Sequence, residues 1–133
     1  MSADQVWAPR VLSLVRFVFG LLFLQHGLSK WFGFPAPYHH LTPLLVVASI
    51  IEVVGSVLVI LGLFTRPAAL IMSGEMAIAY FMEHLPHSPF PLVNHGGPAI
   101  MFCFFFLYLV FAGGGEYSLD RLFWPQRTAR AAL

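Results

Sequence analysis

Three ionisable residues, Arg16, Glu52 and Glu75, lie inside separate apolar runs of the chain. In a membrane span such a residue costs at least about 2.5–3.5 kcal/mol on insertion scales, so it is normally paired or functional. One arginine can neutralise only one carboxylate. We therefore expect Arg16 to pair with at least one glutamate, and the other carboxyl to hold or exchange a proton at neutral pH. The structural alternative is an inert brace of buried ions.

A second group of polar residues lies where the apolar runs end: His26, Lys30, Glu83, His84, Asn94 and His95. Quinone head groups are bound by a hydrogen-bond donor at each carbonyl and by apolar walls around the ring. The neighbouring aromatic residues Trp31, Phe32, Tyr80, Phe81 and Phe90 are candidates for such walls. This group is therefore a candidate ligand site, and the alternative is a belt of interfacial polar and aromatic side chains.

Metal binding is a weaker interpretation of these residues. His84 and His87 have helical spacing, but Pro86 falls between them and no carboxylate follows at a useful spacing. Cys103 is the single cysteine, so neither a thiolate metal site nor an internal disulfide is expected. We predict no metal and no intrinsic cofactor, so redox chemistry would require a ligand from elsewhere.

Composition identifies the environment in which these residues work. Of the 133 residues, 59% are hydrophobic and 10% charged, and the mean hydropathy is +0.80. Soluble domains average about 25% charged residues, so the sequence predicts an integral membrane protein in contact with the lipid bilayer. A formal charge of +1 gives no phosphate-tracking surface, which argues against nucleic acid as a partner.

Four apolar runs predict an all-α membrane protein, a single domain over residues 1–133 with four transmembrane helices in an up-down bundle. The predicted spans are about 11–32, 42–64, 67–85 and 97–113. In the first run Arg16, Gly20, Phe23, Gly27 and Lys30 recur every three or four residues and share one helical stripe. Glu52 and Glu75 also share their faces with small residues, so we expect these faces to meet in the interior.

Basic residues predict the orientation, because short cytoplasmic loops keep Lys and Arg. The side that holds both termini also carries most arginines, namely Arg10, Arg66, Arg121, Arg127 and Arg130. The opposite side holds Lys30 alone. Both termini are therefore expected in the cytoplasm.

Several ordered motifs resemble the DoxX family of small bacterial membrane proteins. They are GLLFLQHGLSK at 20–30, EVVG at 52–55, LGLFTRPAA at 61–69, YFMEH at 80–84, NHGG at 94–97 and GEYSLD at 115–120. The family is named from a membrane subunit of thiosulfate:quinone oxidoreductase. The resemblance implies a multi-pass protein of the bacterial inner membrane, a subunit of a quinone-linked redox system with a non-covalent quinone and a soluble redox partner protein.

Two other function classes stay open. The two membrane glutamates are also compatible with a proton-coupled carrier of a small molecule, which four short spans would support only as a homo-oligomer. The small size is compatible with a non-catalytic membrane anchor or assembly partner of a soluble redox enzyme.

Overall fold

A computed structural model describes residues 2–125 of the chain, and all regular structure in this range is helical. The helices are α1 (Ala3–Phe32), α2 (Pro43–Leu61), α3 (Thr65–Ala79), α4 (Pro91–Asn94), α5 (Gly97–Ala112) and α6 (Leu119–Phe123). A π-helical turn, Tyr80–His84, continues α3. Arg127 and Arg130, which contributed to the predicted orientation, lie outside the described residues.

Local sequence explains where α2 begins and where α1 and α2 end. The side chain of Thr42 accepts a hydrogen bond from the Leu45 N–H, and Pro43 occupies the first turn of α2, where a missing N–H costs nothing. Gly33 and Gly62 end α1 and α2 in the left-handed conformation, which glycine adopts without strain. Helix α1 begins at Ala3, well before the apolar run itself.

Helices α1 and α2 run antiparallel in close contact through two glycines of α1. Gly20 lies against Ile60, and Gly27 lies against Val53. A Cβ atom at Gly27 would lie 2.5 Å from Val53 Cγ2 and 3.1 Å from the Val53 backbone nitrogen. These contacts fix which residues of the two helices share a level.

The remaining helices complete a core of apolar side chains. Gly55 of α2 faces Met72 of α3, and the Ser73 hydroxyl of α3 donates to the Cys103 carbonyl of α5 over 2.8 Å. The Phe23 ring of α1 lies 5.0 Å from the ring of Phe106 in α5. The fully buried core side chains therefore come from all four long helices, and they include Phe23, Val59, Met72, Phe106 and Leu109.

The predicted interior faces of α1 and α2 are confirmed. Arg16, Gly20, Phe23 and Gly27 are buried, as are the α2 residues Ser49, Glu52, Gly55 and Ser56. Among the described helices, α1 and α2 are long and apolar enough to cross a membrane, and α5 is a shorter apolar helix.

Candidate functional site

A buried ion pair joins α1 to α2. The Lys30 ammonium lies 2.7 and 2.8 Å from the two carboxylate oxygens of Glu52. The side chains are only 11% and 3% exposed. Glu52 therefore has a cationic partner, but this partner is Lys30 and not Arg16 as the sequence predicted.

The contact between α1 and α2 positions this pair. Gly27 brings α1 so close to α2 that a Cβ atom there would lie 3.2 Å from the Cβ of Glu52. Lys30 follows on the same stripe of α1, and its flexible stem reaches Glu52. One residue later, the Trp31 indole N–H donates to the Ser49 hydroxyl over 2.7 Å. Two polar contacts thus join the helices near the end of α1.

Glu75 of α3 is the third member of the site. It lies within electrostatic range of both Glu52 and Lys30. Its Oε2 atom is buried and has no hydrogen-bond partner among the described residues. We call Lys30, Glu52 and Glu75 the Lys30 cluster. With every group ionised, one cation faces two carboxylates, so the cluster can accept a proton or a hydrogen-bond donor without gaining net positive charge.

His26 lies at the molecular surface beside the Lys30 cluster. It is exposed, precedes Lys30 by one helical turn and lies within electrostatic range of Glu52. Its ring centroid lies 5.7 Å from that of Phe23 and 5.9 Å from that of Phe102. A polar ring thus stands beside two aromatic rings, next to the buried charges.

Arg16 lies elsewhere, and the prediction that it pairs with a glutamate is wrong. Its Nε donates to the Gly114 carbonyl over 2.7 Å, and its Nη2 donates to the Tyr117 carbonyl over 2.7 Å. Its Nη1 donates to the Ile60 carbonyl over 2.7 Å and also to the Val59 carbonyl. Arg16 contacts α2 at the level of Ile60, which is eight residues from Glu52, or about 12 Å along the helix. This difference in level keeps the guanidinium away from the Glu52 carboxylate.

The tail after α5 supplies half of the Arg16 partners and also caps α3. The Asp120 carboxylate accepts hydrogen bonds from the Phe64 N–H over 2.7 Å and from the Thr65 N–H over 2.8 Å. The Asp120 N–H donates to the Gly62 carbonyl over 2.8 Å. Sequence reasoning did not identify these partners. The available signals were an arginine inside an apolar run and the glycines at 113–115, whose backbone carbonyls can accept hydrogen bonds.

His84 and Asn94, two of the predicted ligand residues, organise the segment between the π-helical turn and α5. His84 Nδ1 donates to the Asn94 carbonyl over 3.0 Å. The buried Asn94 amide donates to the Ser88 carbonyl over 2.8 Å, and its Oδ1 accepts from the Gly96 N–H over 2.7 Å. A longer contact of 3.4 Å joins the Asn94 amide to the Tyr80 hydroxyl. These polar groups hold the loop in shape.

The predicted ligand residues therefore separate into three sets. His26 and Lys30 lie at the Lys30 cluster, whereas His84, at the end of the π-helical turn, is hydrogen-bonded to Asn94, at the end of α4. Glu83 and His95 are exposed. No hydrogen bond or ion pair among residues 2–125 joins the buried charges to His84 or Asn94.

Comparison with known proteins agrees with the sequence motifs. The DoxX family model matches residues 11–85. A relative from Haemophilus influenzae, described as an uncharacterized protein, is 42% identical over 134 residues, an alignment that covers 95% of this chain and 100% of the relative. No solved structure matches the chain significantly. The match of the family model over more than half of the chain, together with this full-length relative, shows that the chain belongs to the DoxX family.

Proposed function

We propose that this chain crosses the bacterial inner membrane four times, with both termini in the cytoplasm. The lengths of α1 and α2 support two spans. The 15 residues of α3 and the five of the π-helical turn form a continuous helical segment, and 20 residues reach about 30 Å, the thickness of the hydrocarbon core. The fourth span is α5, whose 16 residues are almost entirely apolar. Antiparallel packing of α1 on α2 supports the up-down order.

Within this frame we propose that the Lys30 cluster exchanges protons for a quinone, and that the chain is the membrane subunit of a quinone-linked redox system. One observation carries the proposal: the buried Glu75 Oε2 atom, which has no hydrogen-bond partner among residues 2–125, lies within electrostatic range of the Lys30–Glu52 pair. A quinone takes up or releases protons when its redox state changes. A buried group that can take or give one proton beside an ammonium is suited to that task.

The surroundings of His26 support access from the lipid. The exposed imidazole can donate a hydrogen bond to a head-group carbonyl, and its contacts with the buried rings of Phe23 and Phe102 hold it at the protein surface. Lys30 uses its ammonium for both oxygens of Glu52 and has one further N–H to donate. The electrons would pass to or from a soluble redox partner protein.

Quinone binding tests this proposal. Purified protein in detergent is titrated with a short-chain quinone, decylubiquinone, and binding is followed by quenching of tryptophan fluorescence. His26→Leu should weaken binding about tenfold, the value of one hydrogen bond of about 1.4 kcal/mol. His40→Leu, in the exposed segment before α2, is the matched control and should leave the affinity unchanged. Equal affinities of the His26 variant and the wild type would overturn the quinone site.

Proton handling is tested separately by infrared spectroscopy. We expect the cluster to hold one extra proton at neutral pH, because one ammonium balances only one carboxylate. The wild-type spectrum should then contain a protonated carboxyl stretch that Glu75→Gln or Glu52→Gln removes. Glu116→Gln, at a carboxylate paired with Arg121, is the control and should leave the band unchanged. A wild-type spectrum without such a band would overturn the proton-exchange role.

The unequal charge of the cluster also favours a second candidate, a proton-coupled carrier. Native mass spectrometry in mild detergent distinguishes the candidates. A co-purifying quinone supports the redox subunit, and a ligand-free homo-oligomer that moves protons in liposomes supports the carrier. A soluble redox enzyme that co-purifies, with no quinone bound, would instead support a non-catalytic membrane anchor.

A further inference from the structure

A groove of about 640 Å³ lies at the opposite end of α1 from the Lys30 cluster. Its lining includes Trp7, Arg10, Leu14 and Phe17 of α1, together with Ile60 of α2 and Tyr117 of the tail. The residues therefore combine an apolar wall with a cation at one end. The proposed quinone site uses none of them.

The apolar wall of the groove is continuous with the outer surface of α1. Leu14 is 62% exposed and Phe17 is 44% exposed, and both point away from the packed core. Neighbouring residues of the same outer face, Val18 and Leu21, are exposed as well. In the proposed membrane arrangement this face contacts lipid, so the groove opens directly towards acyl chains.

Arg10, the cation at the end of the groove, forms no ion pair with a carboxylate among residues 2–125. Among residues 2–125 the ion pairs are Lys30–Glu52 and Arg121–Glu116. The Arg10 guanidinium instead lies over the Trp7 ring, 5.5 Å from its centroid. Arg16, deeper in the groove, uses its donors on four backbone carbonyls. Arg10 is therefore the cation of this groove that is free to bind an anion.

The position of Arg10 along α1 matches the head-group level of a bilayer. It directly precedes the apolar run that begins at Val11, and Trp7 lies one turn before it. Tryptophan and arginine favour this interfacial level, where lipid phosphates are found. Leu14 and Phe17 lie about 6 and 10 Å deeper along the helix.

From this arrangement we propose that the groove binds one anionic phospholipid, with its phosphate at Arg10 and the start of an acyl chain along Leu14 and Phe17. Arginine recognises phosphate through several N–H groups in a fixed fork. The Arg10 guanidinium lies over the ring of Trp7, and both residues line the groove. The lipid would thereby pack between α1, the end of α2 and the tail.

Native mass spectrometry of the full chain tests the site. Protein in mild detergent is mixed with phosphatidylglycerol or with phosphatidylcholine of the same acyl chains, and the retained lipid is counted. We expect one phosphatidylglycerol to be retained in preference to phosphatidylcholine. Arg10→Gln should weaken its retention about fivefold, the effect of one basic residue at a membrane surface. Arg121→Gln removes the same charge from a residue already paired with Glu116, and should have no effect.

Each other outcome overturns the proposal. Equal losses in the Arg10 and Arg121 variants would indicate general surface attraction without a site. Equal retention of phosphatidylcholine and phosphatidylglycerol would exclude recognition of the negative head group. Displacement of the lipid by millimolar inorganic phosphate would indicate a site for a free anion. Leu14→Asn, which changes the exposed wall and keeps the charge, should also weaken retention, and full retention would exclude the acyl-chain contact.

Discussion

Removing the Lys30 ammonium should destabilise the protein strongly. Lys30→Met keeps most of the apolar stem of the side chain but leaves the Glu52 carboxylate, 3% exposed, without its cation. Breaking a buried ion pair by removing one partner costs about 3–5 kcal/mol, because an uncompensated charge stays behind. With exposures of 11% and 3%, solvent screens this pair little. We therefore expect a loss of about 3–5 kcal/mol in the free energy of unfolding.

A second substitution distinguishes loss of the pair from loss of packing. The double variant Lys30→Met, Glu52→Met removes both charges and replaces them with apolar groups of similar length. Replacing a buried ion pair by hydrophobic residues is often neutral or stabilising. The double variant should therefore lie within about 1–2 kcal/mol of the wild type, which gives a large coupling energy between the two positions.

Reversible unfolding in mixed micelles of mild detergent and sodium dodecyl sulfate, followed by tryptophan fluorescence, measures these free energies. The matched control is the cycle of Arg16→Met with Glu52→Met. Those residues lie about 12 Å apart in height, so their effects should add within about 0.5 kcal/mol. A coupling energy near zero for Lys30 with Glu52, or a large one for Arg16 with Glu52, would refute the arrangement of charges described above.

Three further predictions concern the scaffold around the site. Asp120→Ala should cost about 1–2 kcal/mol of stability through loss of the cap on α3, with a smaller loss for Asp120→Asn, measured by the same unfolding assay; equal stabilities would contradict the capping role. Gly27→Ala should destabilise the protein by about 1–3 kcal/mol, because the new Cβ would collide with α2. At Gly74 a Cβ would meet nothing within 4 Å, so Gly74→Ala should stabilise the protein by up to about 1 kcal/mol. A change in stability of the same sign at both positions would contradict the packing argument. Cysteines placed at residues 36 and 90 of a cysteine-free variant should react with impermeant reagents from the periplasm, and labelling from the cytoplasm alone would reverse the proposed topology.

The interior faces of the helices could be predicted from sequence because their signal is periodic. Arg16, Gly20, Phe23 and Gly27 recur at helical spacing, and the structure buries them together. The ends of helices also depend on local chemistry, as the Thr42 cap of α2 and the glycines after α1 and α2 show. These features need no knowledge of how helices are placed against each other.

The pairing of charges could not be predicted in this way, because it depends on the relative height of two helices. Lys30 lies about 3 Å from the end of α1, whereas Glu52 lies about 14 Å inside α2. If both helices began at the same level at the intervening loop, Lys30 and Glu52 would therefore lie at different depths. Close contact of Gly27 with Val53 shifts α1 deeper against α2 and brings the two charges together. A one-turn difference in this contact would change every pair across the interface.

Arg16 can form all of its hydrogen bonds only after the residues that follow α5 have been synthesised. The guanidinium belongs to α1, which is synthesised before α5, whereas the Gly114 and Tyr117 carbonyls follow α5 in the chain. While the ribosome is still translating α5, the arginine must be solvated at the membrane surface or remain short of acceptors. The carbonyl of Tyr117, the third residue of the motif GEYSLD, thus accepts a hydrogen bond from an arginine 101 residues earlier in the chain. A variant truncated after Ala112 lacks these acceptors and should be degraded faster than the full chain in a pulse-chase experiment.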